Sequence, residues 1–235
     1  MTFLQESSFM RLLATLSALL VSSLAPLGAA ESLESVLARM DKSAAEFHSL
    51  SAKLNKVTFT AVLNESSTES GTIIVRRPKV RDLRMLINFT APDEKTVFYA
   101  NKKWQIYYPK ILTVQEYDFG KQSALVDQAL LLGFGTNSKD LEKGYDLKYL
   151  GEDTVNGSKA SKLELVPKSS EARDHFTKVE LWISERGHPL QQKVYQPSKD
   201  YYQVTYSAIE LNPKLDDDSL KLKLPKGVKK EYPQR

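Results

Sequence analysis

The residue types that could carry chemistry are few in this chain and widely spaced. The histidines are His48, His175 and His188, and no two of them stand three or four residues apart, the spacing that puts two metal ligands on one helix face. The run Asp216-Asp217-Asp218 lacks the spaced oxygen ligands of a calcium loop, so we interpret it as a solvated turn. No Gly-x-Ser-x-Gly elbow or phosphate-binding glycine loop is present. We therefore expect no metal, no cofactor and no catalytic set.

One charged residue stands apart from this pattern. Between Gly71 and Tyr117 the sequence predicts short antiparallel strands, and strand alternation puts Arg77 on the same face as Ile73 and Val75. An arginine that points at an apolar face, with no catalytic residues beside it, favours a carrier over an enzyme. Largely apolar concave sites with a few polar groups are typical of lipid-binding proteins. The alternative is that the apolar and aromatic residues form an ordinary sheet core.

Two helices are predicted to flank or interrupt the strands. Apolar residues recur at three- and four-residue steps from about Ser32 to His48, which predicts an amphipathic helix with Ser32 as its N-cap. Ser35 takes the place of the glutamate that usually completes a capping box. A second helix is predicted from Ser123 to Leu132, ended by Gly133 and Gly135. Leu131 and Phe134 are harder to bury within that helix.

The remaining segments alternate with period two and predict about ten strands. The polar stretch from Asn64 to Ser70 is interpreted as a turn, and Asn156-Gly157 as a two-residue hairpin turn. A sheet of this size must curl or close, and the two amphipathic helices are its natural cover. We therefore predict an α+β fold, an unclosed antiparallel β half-barrel covered by amphipathic lid helices.

The N-terminus has the order of a secretory signal peptide. Arg11 precedes an apolar run from Leu12 to Leu24, and Gly28-Ala29-Ala30 supplies small residues for a cleavage site. The run is shorter than the roughly 20 residues that span a bilayer. We expect residues 1–30 to be a signal peptide cleaved after about Ala30, and residues 31–235 to be one domain. The alternative is an uncleaved N-terminal anchor.

The composition of the chain indicates its cellular compartment and the kinds of partner that it can bind. The chain has no cysteine, which excludes disulfides, thiolate metal sites and a lipid-modified N-terminal cysteine. We therefore expect a periplasmic protein that is free to diffuse. The net charge is +4, and much of the excess lies between Lys221 and Lys230. A basic stripe could bind nucleic acid or an anionic membrane. For an exported chain we expect no nucleic-acid partner, and we interpret the stripe as a solvated basic tail.

Several motifs, in one order, resemble the periplasmic outer-membrane lipoprotein carrier family, LolA. They begin with Ser70-Gly71 leading to Arg77-Pro78 and the turn Pro92-Asp93. The later motifs are the Lys102–Tyr108 element, the leucine-rich stretch Ala124–Leu132, Leu165-Val166-Pro167-Lys168 and Pro225-Lys226-Gly227-Val228. Each motif is weak alone, but together they cover nearly the whole mature chain. The chain departs from the family in two places. Family members often have Asp-Gly where this chain has Ala100-Asn101, and they often have an aromatic residue after the Arg-Pro segment, where this chain has Asp82-Leu83.

The resemblance implies a role and a set of partners. Such proteins accept the acyl chains of a lipoprotein from an ATP-driven releasing complex in the inner membrane and pass the cargo to an outer-membrane acceptor. By the resemblance, Arg77 would be a latch that hydrogen-bonds the lid backbone when the cavity is empty. Cargo binding would break those bonds, which makes Arg77 a switch between closed and open states. We expect a monomer without catalytic activity.

The candidate ligand-binding residues combine this latch with apolar residues of the strands and of the second helix. They are Arg77, Met85, Ile87, Phe89, Tyr99, Trp104, Ile106, Leu125, Ala129 and Leu132. Two alternatives to a lipoprotein carrier remain at this point. One is a lipid-binding or lipoprotein-sensing module on the same fold, and the other is a periplasmic hydrolase whose catalytic residues are dispersed along the sequence.

Overall fold

An amphipathic helix, α1 (Leu33–Glu46), leads the fold in this computed structural model, which describes residues 31–79, 82–118 and 132–233. Ser32 Oγ accepts a hydrogen bond from Ser35 N at 3.2 Å, and Ser35 Oγ accepts one from Ser32 N at 3.1 Å. This capping box satisfies two N–H groups that the start of a helix leaves without partners. The predicted helix and its N-cap are confirmed.

In the described part of the chain, twelve strands form one sheet after α1. They are β1 (Ser49–Thr60), β2 (Glu65–Lys79), β3 (Asp82–Ala91), β4 (Lys95–Ala100), β5 (Lys103–Tyr108), β6 (Thr113–Asp118), β7 (Tyr145–Val155), β8 (Ser158–Pro167), β9 (Lys178–Ser184), β10 (Pro189–Tyr195), β11 (Tyr201–Leu211) and β12 (Lys229–Glu231). Their order across the sheet is β12-β6-β5-β4-β3-β2-β1-β11-β10-β9-β8-β7. All neighbours are antiparallel except β12 and β6. Strands β12 and β7 end the order without pairing to each other in the described residues, so the predicted unclosed α+β fold is confirmed.

Short helical segments connect some of these strands. Helix α2 (Ser138–Gly144) precedes β7, and helix α3 (Ser170–Arg173) lies between β8 and β9. Two single turns of 3₁₀ helix, Pro109–Ile111 and Asp217–Leu220, precede β6 and β12. Asn156-Gly157 forms the tight turn between β7 and β8, with both residues at positive φ, as the sequence predicts.

The face of the sheet that packs on α1, here called the inner face, carries two apolar clusters. The sheet cluster lies on β1 to β4 and β11 and contains Phe47, Leu50, Ala52, Leu54, Ile73, Val75, Leu83, Met85, Phe89, Val97, Tyr99, Phe134, Val204 and Tyr206. The helix cluster joins α1 to β7–β10 and contains Val36, Leu37, Met40, Leu132, Leu141, Tyr145, Leu163, Leu165, Val179, Leu181, Ile183 and Val194. The predicted alternation of β9 is confirmed, because Val179, Leu181 and Ile183 all point inward.

The opposite, outer face of β8–β10 carries an ionic group around Glu180, beside a small apolar cluster formed with β7 by Val155, Ala160 and Trp182. Glu180 is 6% exposed and its carboxylate lies 3.1 Å from the ammonium groups of Lys162 and Lys178. It also accepts a 3.1 Å hydrogen bond from the hydroxyl of Tyr195. Burial, followed by the charge of Glu180, raises the pKa of Tyr195 to about 12. Two cations and a hydroxyl therefore compensate a buried carboxylate on this face.

Two segments differ from the sequence prediction. The stretch interpreted as a polar turn, Asn64 to Ser70, belongs mainly to β2, and the turn is Ala61–Asn64. The prediction was wrong because serine, threonine and glutamate were taken as turn residues, whereas they here form a solvated strand paired to β1. The basic C-terminal segment is more ordered than predicted. Its lysines are exposed, but Leu220 is 4% exposed and β12 pairs with β6.

Candidate functional site

The inner face of β3, β4 and β5 brings together the apolar residues predicted to bind a ligand. Met85, Phe89 and Tyr99 belong to the buried sheet cluster, and Ile87, Trp104 and Ile106 pack against it. Cross-strand register explains the grouping, since Met85 lies opposite Tyr99, Tyr99 opposite Trp104, and Ile87 opposite Val97. The rings of Tyr99 and Trp104 lie 5.7 Å apart. Their role as ligand contacts stays a prediction.

Arg77 stands at the end of this apolar face and bonds only to backbone carbonyls among the described residues. Its Nη1 donates to Gly135 O at 2.7 Å. Its Nη2 donates to Ala44 O at 3.4 Å and to Phe47 O at 3.5 Å, both long hydrogen bonds. Burial lowers the pKa of the guanidinium. Because α1 has no basic residue in its last turn, Arg77 also supplies the cation that complements the C-terminal end of the helix dipole.

The two carbonyl-bearing segments that Arg77 holds form the lid, defined here as residues 44–47 and 132–137. Phe47 and Phe134 insert their rings into the sheet cluster, 6.3 Å apart, and the Phe134 ring meets Tyr206 edge-on at 5.2 Å. The guanidinium carbon of Arg77 lies 5.5 Å from the centre of the Phe47 ring. The lid therefore covers the same apolar face with two aromatic side chains and is tied to β2 through one arginine.

The fold requires a glycine at position 135. Its φ is +66°, and a Cβ at this position would lie 2.7 Å from the Phe47 ring and 3.0 Å from both Arg77 Nη atoms. A side chain here would push apart the contacts that close the lid. The sequence prediction treated Gly135 as a helix stop, which did not reveal its contact with Arg77.

Side chains also tie the lid segments to each other and to β1. Asp41 of α1 accepts hydrogen bonds from Ser138 N at 2.6 Å and from Ser138 Oγ at 2.7 Å. Asn212 accepts from His48 N at 2.8 Å and donates to Glu46 O at 2.8 Å. The first pair joins α1 to the start of α2, and Asn212 fixes the junction of α1 with β1.

The middle of α1 is anchored to the far half of the sheet through the turn between β9 and β10. Arg39 Nη2 donates to Ser161 Oγ at 2.8 Å. Gly187 lies so close to α1 that a Cβ would sit 2.2 Å from Arg39 O. Next to it, His188 is 7% exposed, and its Nδ1 lies 3.2 Å from Ser184 Oγ. Burial, with a smaller effect of the Arg186 charge, lowers the pKa of His188 to about 4.

This buried histidine predicts a specific acid sensitivity. A depressed pKa means that the fold favours neutral His188, so its contribution to stability is present above pH 6.5 and is lost as the pH falls towards 4. We expect up to about 3 kcal/mol of the free energy of unfolding to be lost in this window through His188. Urea unfolding at about pH 7 and about pH 4.5 should show a smaller pH difference for His188→Gln than for the wild type. His175→Gln, which alters an exposed histidine, is the control; an equal pH difference in all three proteins contradicts the prediction.

The remaining predicted site residues fall elsewhere. Leu132 is buried in the helix cluster with Val36 and Leu37 of α1, apart from the six residues on β3–β5. Leu125 and Ala129 lie outside the described residues. Sequence reasoning missed Phe47, Phe134 and Gly135 as partners of the site. The signal that could have identified Phe134 was its apolar side chain just beyond the predicted helix, where that helix could not bury it.

Chemical sites of other kinds are not found in the described part of the chain. No group of three or more histidine, aspartate or glutamate side chains there is placed to hold a metal ion. None of the helices in residues 31–79, 82–118 and 132–233 is both long and apolar enough to cross a membrane. The site is therefore an apolar sheet face, two aromatic lid residues and one arginine.

Comparisons with known proteins agree with this architecture. A family model described as outer membrane lipoprotein carrier protein LolA matches residues 45–223. The crystal structure of MucB is similar with a TM-score of 0.51 and 17% identity, covering 81% of this chain and 62% of MucB. An uncharacterized conserved protein from Thermus thermophilus has a TM-score of 0.51 and 15% identity, covering 86% of this chain and 99% of that protein. This chain thus spans about three fifths of the length of MucB. At these identities the structures show a shared fold alone. No curated protein matches the chain.

Proposed function

The chain belongs to the family of the outer membrane lipoprotein carrier protein LolA, and from this premise we propose that it carries lipoproteins across the periplasm. Family membership makes it a lipid- or lipoprotein-binding module. In the proposal, residues 1–30 direct export, and the inner face binds acyl chains released by an ATP-driven complex of the inner membrane. An acceptor in the outer membrane then takes the cargo. The carrier acts as a monomer and performs no chemical step.

The observation that carries this proposal is the bonding of Arg77. A guanidinium held by a carboxylate on an apolar face could be released only by leaving an unpaired charge behind, at a cost of about 3–5 kcal/mol. Arg77 instead bonds to the carbonyl of Gly135 and, more weakly, to those of Ala44 and Phe47. The Gly135 bond contributes about 1.5–3 kcal/mol, and the two longer bonds contribute less than that. These contacts are strong enough to favour a closed lid and weak enough for cargo to break.

A ligand that enters then competes with Phe47 and Phe134 of the lid for the surface of the sheet cluster. Phe47 and Phe134 cover the sheet cluster in the closed state. An acyl chain that displaces their rings buries its own methylene groups on the same face, at about 0.8 kcal/mol for each group. Several methylene groups offset both the lost aromatic packing and the broken Arg77 bonds. The open state is thereby favoured only while cargo is bound, which suits a carrier that must also release.

Native mass spectrometry of the protein purified from bacterial periplasm tests the proposal directly. We expect a bound triacylated lipoprotein and its transfer to an outer-membrane acceptor when the two are mixed. Bound phospholipid or another free lipid in a protein that neither holds nor takes up lipoprotein would instead indicate the lipid-binding or sensing module. A protein that is empty, and that takes no lipoprotein from inner-membrane vesicles supplied with the releasing complex, would overturn the carrier proposal.

A matched pair of isoleucines on opposite faces of the sheet tests where the cargo binds. Ile87 packs against the sheet cluster on the inner face, whereas Ile74 lies opposite Leu86 on the outer face. We expect Ile87→Glu to weaken binding of a fluorescent acyl probe at least about 10-fold, because a carboxylate on the acyl-binding face must be desolvated. Ile74→Glu should leave the dissociation constant within about twofold. Equal losses in the two variants would place the ligand elsewhere.

A further inference from the structure

Two lysines and one glutamate form a charged rim on the inner face, where the apolar surface ends. The rim consists of Lys56 on β1, Glu69 on β2 and Lys95 on β4. Lys56 lies directly opposite Glu69, two residues along from the inward pair Leu54 and Gly71. Lys95 lies directly opposite Phe89, two residues from the inward Val97. Both lysines therefore project from the same face as the apolar residues of the candidate site.

The contacts within the rim leave an excess positive charge. Glu69 Oε2 lies 3.1 Å from Lys56 Nζ, and Glu69 Oε1 accepts a hydrogen bond from Lys95 Nζ. Burial raises the pKa of Glu69, but the hydrogen bonds and charges of Lys95 and Lys56 outweigh it, so the carboxylate is ionised. Asp93, which also lies near, is paired with Lys110. Two cations thus share one anion, and the rim carries one net positive charge.

The rim is joined to the apolar face rather than separated from it. Lys95 Nζ lies 4.8 Å from the centre of the Phe89 ring, and Phe89 is a buried member of the sheet cluster. The side chains of Lys56 and Lys95 are about one third and one quarter exposed, at 31% and 24%. Each ammonium has three N–H donors, of which Glu69 takes one. A ligand that lies along Phe89 would reach both lysines with its polar end.

We propose that this rim is a subsite for the phosphate headgroup of an anionic lipid. Glu69 takes one N–H of each ammonium, so a phosphodiester that lies beside Glu69, with two equivalent oxygens and a single negative charge, can accept from the remaining N–H groups of Lys56 and Lys95. Its charge neutralises the rim, and its acyl chains continue over Phe89 and Val97. The proposal rests on the proposed function, because it needs acyl chains on the inner face, and it adds a ligand class that carries phosphate.

Competition with a bound fluorescent acyl probe tests the subsite in the full-length protein. Dioleoyl phosphatidylglycerol and dioleoylglycerol have the same chains and differ in the headgroup, which is a charged phosphoglycerol in the first lipid and a neutral hydroxyl in the second. We expect the wild type to bind the phosphatidylglycerol about 10-fold tighter. The preference should fall below about threefold in Lys56→Gln/Glu69→Gln/Lys95→Gln, a variant in which no rim charge is left unpaired. Lys53→Gln, which removes one positive charge from an exposed lysine of the same strand β1, should keep the full preference.

The outcomes separate the rim from the acyl site. Equal affinity of the wild type for the two lipids, or an unchanged preference in the triple variant, overturns the headgroup subsite while leaving the carrier proposal intact. Failure of both lipids to displace the probe overturns both proposals. Inorganic phosphate that competes with phosphatidylglycerol at micromolar concentration would assign the rim to free phosphate and overturn the lipid assignment. If the triple variant fails to fold, Lys56→Gln replaces it: Lys95 stays paired with Glu69, the rim has no net charge, and a preference that stays at about 10-fold overturns the subsite.

Discussion

Replacing Arg77 with leucine should make the protein bind acyl chains about 10- to 100-fold more tightly and release them more slowly. The guanidinium donates hydrogen bonds to the carbonyls of Gly135, Ala44 and Phe47, and in the proposed function these bonds hold the lid closed. Loss of these bonds removes a few kcal/mol from the closed state, and the ligand no longer has to break them. Titration with a fluorescent acyl probe gives the dissociation constant, and stopped-flow dilution gives the release rate.

A control for lost charge comes from helix α3. Arg173 is exposed and donates to the backbone carbonyls of Pro167 and Lys168, so Arg173→Leu makes the same chemical change outside the lid segments. It should leave both the affinity and the release rate unchanged. A wild-type affinity in Arg77→Leu would show that the arginine does not hold the closed state. Gly135→Val should resemble Arg77→Leu, because its side chain would collide with Phe47 and Arg77.

The largest effect on stability is expected from the helix cluster. Leu163 is fully buried between α1 and β7–β10. Leu163→Ala should lower the free energy of unfolding by about 2–5 kcal/mol, since it removes buried methyl groups and leaves a cavity. Acyl-probe affinity should change little at a temperature where the variant is folded, because the ligand face belongs to the sheet cluster. Urea denaturation with circular dichroism measures the first quantity, and probe titration measures the second.

Leu150→Ala is the matched control for this change. Leu150 stands on β7 of the same half of the sheet but is 40% exposed, so its truncation should cost less than about 0.5 kcal/mol. We expect the helix cluster to determine stability and the sheet cluster to bind the ligand. This separation would be wrong if folded Leu163→Ala lost as much probe affinity as Ile87→Glu.

Local patterns predicted much of the fold because they follow directly from backbone geometry. The period of two from Leu83 to Phe89 placed Met85, Ile87 and Phe89 on one face, and the cross-strand register agrees. The same alternation placed Arg77 with Ile73 and Val75. The serine at position 32 marked the start of α1. Each of these inferences depends only on residues a few positions apart, so each could be made without knowing which distant segments come together in the fold.

The inferences that failed depend on contacts distant in sequence. Whether Ser66 to Ser70 forms a turn or a strand depends on pairing with β1, whose residues lie across the hairpin. The three residues of β12 carry no periodic signal and are ordered by β6, more than a hundred positions earlier. The partners of Arg77 are backbone carbonyls, which every residue has, so no residue type at position 44, 47 or 135 could reveal them.

The open edges of the sheet have a mechanical consequence for the size of the cargo. A closed barrel has its radius fixed by the number and stagger of its strands. Among the described residues, β12 and β7 end the strand order without pairing to each other, so no closed ring of ladder hydrogen bonds sets a radius. Small changes of twist, shared among eleven strand pairs, can change the curvature of the sheet while every ladder stays intact. If the inner face binds acyl chains as proposed, elasticity of the sheet would let it fit chains of different number and length without a pocket of fixed dimensions.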